Sequence, residues 1–168
     1  MADIFRANEN IVARVKKLIK DNHPDLFLIQ DEIAILIREK AGKRGGRVVY
    51  GKSIKAPKIL EVLGDTDYKF IIELAGDEWQ NLTSPQQTAL LDHHLCACRA
   101  EEDEDTGDVK YFVAPPDIGY YYDELSRHGN WRPELDGEDT DDLKPIADVM
   151  GQLVSNEATN VVTETTTD

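Results

Sequence analysis

The feature that most constrains this chain is where its negative charge sits. Of 33 acidic residues, six lie in Glu101–Asp108 with no base among them, and ten lie in Pro133–Asp168 with Lys144 as the single base. Segments so dense in carboxylates cannot be packed into a core, because burying unpaired charge is prohibitively costly. The net charge of −14 therefore belongs to a loop and a C-terminal extension, and the folded domain has to be built from the nearly neutral remainder. At 168 residues and 40% hydrophobic, the whole chain is long and apolar enough for one core. No apolar run approaches the roughly 18–20 residues needed to span a bilayer. Met1–Asn10 lacks the basic start, apolar stretch and small-residue cleavage site of a secretory signal. Cys96 and Cys98 are too close together to staple a fold. The expectation is a cytoplasmic protein.

Local patterns predict a mixed set of elements. Ile11, Val12, Val15, Leu18 and Ile19 recur at helical spacing between basic residues over Asn8–Lys20, and Pro24 requires that helix to stop before it. Glu32–Ile37, Arg47–Ile54 and Tyr68–Leu74 are rich in β-branched and aromatic residues and predict strands, with Gly42–Gly46 the turn between the first two. Ser84, Pro85 and Gln87 form a start signal for a second helix running through Cys98. Val109–Ala114 predicts a short strand, and Asp117–His128 a third helix ending at Gly129. Trp79 and Trp131 are expected in the core, and one or two of Tyr120, Tyr121 and Tyr122 under the third helix. Over Asp139–Val154, Leu143, Ile146, Ala147, Met150 and Leu153 keep helical spacing, so a further amphipathic helix is expected from about Asp142. Ser155–Asp168 is polar and predicts disorder. The resulting division is a domain over 1–132, an acidic extension over 133–154 and a tail over 155–168.

Two stretches carry chemical potential. Arg38–Lys58 holds Arg38, Lys40, Lys43, Arg44, Arg47, Lys52, Lys55 and Lys58 against Glu39 alone, a pattern suited either to a solvated strand edge or to binding phosphate or an acidic surface. Asp92-His93-His94-Leu95-Cys96-Ala97-Cys98 falls on the second helix. In an H-E-x-x-H helix two histidines at i and i+4 bind zinc on one face, and the glutamate deprotonates the metal-bound water. Here the same frame reads His93, His94 and Ala97, which leaves one ligand and no carboxylate base. His93, His94, Cys96 and Cys98 point to different faces of a helix and cannot close one tetrahedral shell, and the two cysteines are expected to be packed rather than reactive.

Several separated motifs, taken in order, resemble the putative phage metallopeptidases. They are Val48-Val49-Tyr50-Gly51-Lys52, Phe70-Ile71-Ile72-Glu73-Leu74, Asp77-Glu78-Trp79-Gln80, Ala89-Leu90-Leu91-Asp92-His93 and Arg127-His128-Gly129-Asn130-Trp131. The resemblance covers about Ile11 to Trp131. It implies a phage or prophage origin and a small zincin-like α+β fold, with a short, mainly antiparallel sheet packed with a central helix. It also implies departures, since the family's helix has Glu where this chain has His94 and His where it has Ala97. An acidic ligand is expected near Gly119 or Tyr120, where only Asp117, Asp123 and Glu124 lie close in sequence. His93, His94, Ala97 and Tyr120 are thus the degenerate positions of a catalytic site. No catalytic residue, zinc or other cofactor is expected, and His93 is the residual metal-ligand candidate.

These readings lead to an expected pseudoenzyme that binds and inhibits a host protein in the host cytoplasm. By analogy with phage proteins, the target would be a defence or nucleic-acid-processing factor. The partner-binding candidates are Leu143, Ile146, Met150 and Leu153 with Glu101, Glu102, Asp103, Glu104 and Asp105. Two alternatives are an acidic mimic of DNA that blocks a nucleic-acid enzyme, and a zinc-dependent peptidase with altered ligands. Direct nucleic-acid or membrane binding is not expected.

Overall fold

The computed structural model describes residues 2–64, 66–116, 121–129 and 131. It divides into two compact units, Met1–Pro115 and Pro116–Asp168, so the expected boundary at 132 falls inside the second. The expected helix over Asp139–Val154 and the tail after it lie outside the described residues.

The first unit opens with β1 (Ile4–Arg6) and α1 (Glu9–Asn22). Asn8 starts α1 by accepting a hydrogen bond from the Ile11 N–H at 3.0 Å, which satisfies a donor that has no partner within the helix. The helix buries Ile11, Val15, Leu18 and Ile19 and ends at His23, whose N–H donates to the Ile19 carbonyl. Pro24 then begins a tighter 3₁₀ segment, Pro24–Glu32, so the expected stop is where the proline requires it.

β2 (Ile33–Arg38), β3 (Gly42–Arg44), β4 (Arg47–Val49), β5 (Gly51–Lys55), the short α2 (Ile59–Leu63) and β6 (Phe70–Ala75) follow. The main sheet has the order β1-β2-β6-β5, with β2 parallel to β6 and the two outer pairings antiparallel. This is the mixed α+β, mainly antiparallel arrangement expected from the sequence. The reading of Arg47–Ile54 as one strand is corrected, because the chain breaks at Tyr50 and sends its halves to different sheets. Gly45 and Gly46 both have positive φ (58° and 82°), which suits a two-residue hairpin turn. They fold Arg47–Val49 back onto Gly42–Arg44, so Gly42–Gly46 is part of a hairpin of its own rather than a link between sheet strands.

α3 (Gly76–Asn81), α4 (Ser84–Ala97), β7 (Cys98–Glu102) and β8 (Val109–Val113) complete this unit. α4 packs against α1 and β5 and is buried from Ala89 to Asp92 and from His94 to Ala97, as a central helix must be. Its cap lies one residue earlier than the sequence suggested. Thr83 accepts from the Gln86 N–H, and Gln86 Oε1 accepts from the Thr83 N–H. Gln87 cannot reach back because it is engaged elsewhere: its Nε2 donates to the Trp79 carbonyl at 2.9 Å and its Oε1 accepts from Arg14 at 2.8 Å. Trp79 is correspondingly half-buried rather than core, with the Arg14 guanidinium 5.5 Å from its ring centre. The helix ends at Ala97, so Cys98 already belongs to β7. The fully buried side chains include Ile19, Leu26, Phe70, Ile72, Leu74, Leu91 and Leu95.

In the second unit α5 (Tyr122–His128) stops at Gly129, whose φ of 62° suits glycine, as the sequence predicts. The expected start at Asp117 lies outside the described residues. Glu124 reaches back to accept from the Tyr121 N–H at 3.3 Å and also accepts from Trp131 Nε1 at 2.7 Å. Tyr121, Glu124, Leu125 and Trp131 are buried, whereas Tyr122 is exposed.

The candidate active-site helix

Each chemically distinctive residue of α4 has its own surroundings. His94 stands where an H-E-x-x-H pattern counted from His93 would have its glutamate. It is buried against β5, with Nδ1 3.0 Å from Ser53 Oγ, and that hydroxyl also donates to the His94 carbonyl at 3.0 Å. Gly51 makes this approach possible, since a Cβ there would lie 2.5 Å from His94 Nε2 and 2.7 Å from the Glu73 carbonyl oxygen. Ala97, at the second ligand position, is buried and carries no donor atom. His93 is half-buried, its ring edge-on to that of His94 at 5.1 Å. Tyr120 lies outside the described residues.

One turn apart on another face, Asp92 and Cys96 meet His23 from the end of α1. His23 Nε2 and Asp92 Oδ1 are 2.6 Å apart, both side chains are almost wholly buried, and the ligand-type atoms of all three residues lie within 4.8 Å of one another. Sequence reasoning missed this grouping. The i, i+4 spacing of Asp92 and Cys96 places them on one face, but nothing local points to a histidine 69 residues away. The Ser53–His94 contact was missed for the same reason.

Neither arrangement has tetrahedral zinc geometry as it stands. An H-E-x-x-H pattern counted from His93 finds His93 alone as a ligand on α4. Two donors bound to one zinc at about 2.0–2.1 Å sit roughly 3.3 Å apart, whereas His23 and Asp92 at 2.6 Å are in direct hydrogen-bond contact. Asp92 Oδ1 and His94 Nδ1 are joined to protein partners, and these two contacts tie α1 and β5 to the central helix. Cys98 follows the same pattern, donating from Sγ to the His94 carbonyl at 3.4 Å. Burial, helped by the nearby Asp25 charge, pushes its thiol up to about 12, which makes it a poor nucleophile.

A family model described as Putative phage metallopeptidase matches residues 3–144. The chain belongs to this family. The match takes in every element described above, including the strand carrying Ser53, the α4 helix and the Arg127–Trp131 ending. No curated protein and no solved structure matches the chain. Within the family frame the Arg127–Trp131 ending has a structural use, since its tryptophan is held by the buried Glu124 carboxylate.

The acidic candidates lie on the β7–β8 hairpin. Glu101 and Glu102 are strand residues, with Glu101 opposite Lys110, so the acidic segment is not loop throughout. Asp103, Glu104 and Asp105 form the turn, and all five are exposed. Asp103 Oδ1 accepts from the Asp105 and Thr106 N–H groups at 2.9 and 3.1 Å, and these bonds hold its carboxyl below its ordinary value. Leu143, Ile146, Met150 and Leu153 lie outside the described residues. No helix among the described residues is long and apolar enough to cross a membrane.

Proposed function

We propose that this family member works by occupancy rather than turnover, as a catalytically inactive metallopeptidase-like protein that binds and inhibits a host protein. The observation that carries this reading is the state of the base position. His94 is turned into the fold and bonded to Ser53, so it has been absorbed into packing. With Ala97 as its neighbour in the frame, α4 keeps the scaffold of a zinc-peptidase helix without the groups that hold metal and activate water. A protein whose scaffold outlasts its chemistry acts through its surface.

Turnover of a broad peptide-substrate panel at saturating zinc tests the proposal. The expected result is no cleavage above background. Cleavage that is removed both by a chelator and by His93→Ala overturns it in favour of a zinc-dependent peptidase with altered ligands. Metal analysis of the purified protein gives an independent reading, since that alternative requires stoichiometric zinc.

A second reading draws support from the β7–β8 hairpin, whose exposed acids sit on a hydrogen-bonded turn. Such a surface can stand in for the phosphates of DNA and fill the basic groove of a nucleic-acid enzyme. Competition with duplex DNA separates the two. A DNA mimic occupies the enzyme's nucleic-acid groove, so DNA displaces it, whereas a protein bound elsewhere on its partner is not displaced.

A further inference from the structure

The basic stretch of the sequence, unused by the reading above, is gathered by the fold into one place. A cleft of about 430 Å³ opens where β2 and β6 end, bounded by the β3–β4 hairpin and the start of β5, with Arg38, Lys40, Lys43, Lys52 and Glu73 around it. We propose that this cleft is a docking site for a short acidic peptide segment of a partner protein. The inference deepens the occupancy reading and rests on it in taking the partner to be a protein.

The arrangement of charge supports this directly. Glu73 lies on β6 opposite Lys52 of β5 and Leu36 of β2, so cations from both neighbouring strands converge on it. Its Oε1 is 2.6 Å from Arg38 Nε and 3.3 Å from Lys52 Nζ. One carboxylate thus pins two cations at the cleft and leaves the group positive overall. Lys40 and Lys43 are exposed and take part in no ion pair among the described residues.

The lining also selects among anions. Val49, Leu74 and Ala75 contribute apolar surface, and no aromatic side chain is present. Single-stranded nucleic acid is held by aromatic stacking together with a basic groove, and only the second of these is available here. A long polyanion would additionally meet a chain of net charge −14. A short peptide needs no stacking platform and brings fewer charges into that field, because its carboxylates reach the lysines locally while its aliphatic stems cover the apolar wall.

The test is fluorescence polarisation of the full chain with a labelled Glu-Ala repeat peptide of about a dozen residues, beside single-stranded DNA of similar length. The peptide is expected to bind at low ionic strength and to weaken as salt rises. Lys40→Gln with Lys43→Gln should weaken it about tenfold, since both removed cations face the bound carboxylates. Lys16→Gln with Lys17→Gln, which removes the same charge from α1, should change it by no more than about twofold. Glu73→Gln should tighten binding by releasing Arg38 and Lys52; if that variant fails to fold, the lysine pairs decide. No binding at low salt, equal losses in the two lysine pairs, or tighter binding of DNA overturns the proposal. Mass spectrometry of the recovered peptide keeps the two readings apart. Cleavage with lysine-dependent binding defeats the occupancy reading and leaves the cleft, whereas an intact peptide that does not bind defeats the cleft.

Discussion

The inner faces of α4 and the cleft at the end of β2 and β6 treat their polar groups in opposite ways. On α4, Asp92 meets His23 and His94 meets Ser53, all of them buried or half-buried, and each polar atom pair is a link between the helix and another element. At the cleft, Glu73 restrains two cations while Lys40 and Lys43 remain exposed to solvent. Groups used for cohesion are desolvated and paired, and groups available for recognition stay hydrated until a partner displaces water. On α4 the Asp92 and His94 contacts belong to the first category.

The largest effect that can break this contrast is loss of the Asp92–His23 contact. Asp92→Ala leaves a buried imidazole without its 2.6 Å partner and should destabilise by about 1.5–3 kcal/mol in denaturant unfolding. A change below about 1 kcal/mol would mean that α4 does not depend on its buried pairs. Replacing both residues by leucine should cost clearly less than Asp92→Ala, because no polar group is then stranded.

Gly51→Ala should follow at about 1–3 kcal/mol, since the added methyl meets the Glu73 backbone as well as the His94 ring. A side chain can turn away, but a central strand cannot. A neutral result would show that β5 is not held against α4 as closely as described.

Titration sharpens the contrast further. The Cys98 thiol is raised from 9.0 to about 12 in the fold, so the unfolded chain loses this proton first as pH rises. Stability from this group is intact below pH ~9 and falls by at most about 1.4 kcal/mol per unit until the folded value is passed. The native protein should accordingly resist thiol labelling at pH 8 and become reactive on unfolding.

Glu73 behaves with the opposite sign. Burial pushes its carboxyl up, but the bonds and charges of Arg38 and Lys52 outweigh this and hold it below its ordinary value. Its contribution is present at neutral pH and disappears as pH falls through that lowered value, and Glu73→Gln should flatten the acid limb of the stability profile. The smallest effect is expected at the surface, where Lys16→Ala breaks an exposed pair with Asp31 and should change stability by less than about 1 kcal/mol.

The sequence by itself determined the features whose causes lie within a few residues. Asn8 and Pro24 bound α1, Gly129 ends α5, and the runs at β2, β6 and β8 declare themselves by side-chain type. That Ala97, four residues after His93, offers no donor atom was equally legible, because i, i+4 spacing is a property of the helix alone. Tertiary structure decided the rest. It split Arg47–Ile54 between two sheets, since the Gly45–Gly46 turn claims one half and β6 the other. It moved the α4 cap to Thr83 because Arg14 and Trp79 hold Gln87. It joined His23 to Asp92 and Ser53 to His94 across 69 and 41 residues. Caps, periodicity and turn residues act through neighbouring backbone and are written locally, whereas a buried polar group takes whichever partner chain closure brings to it.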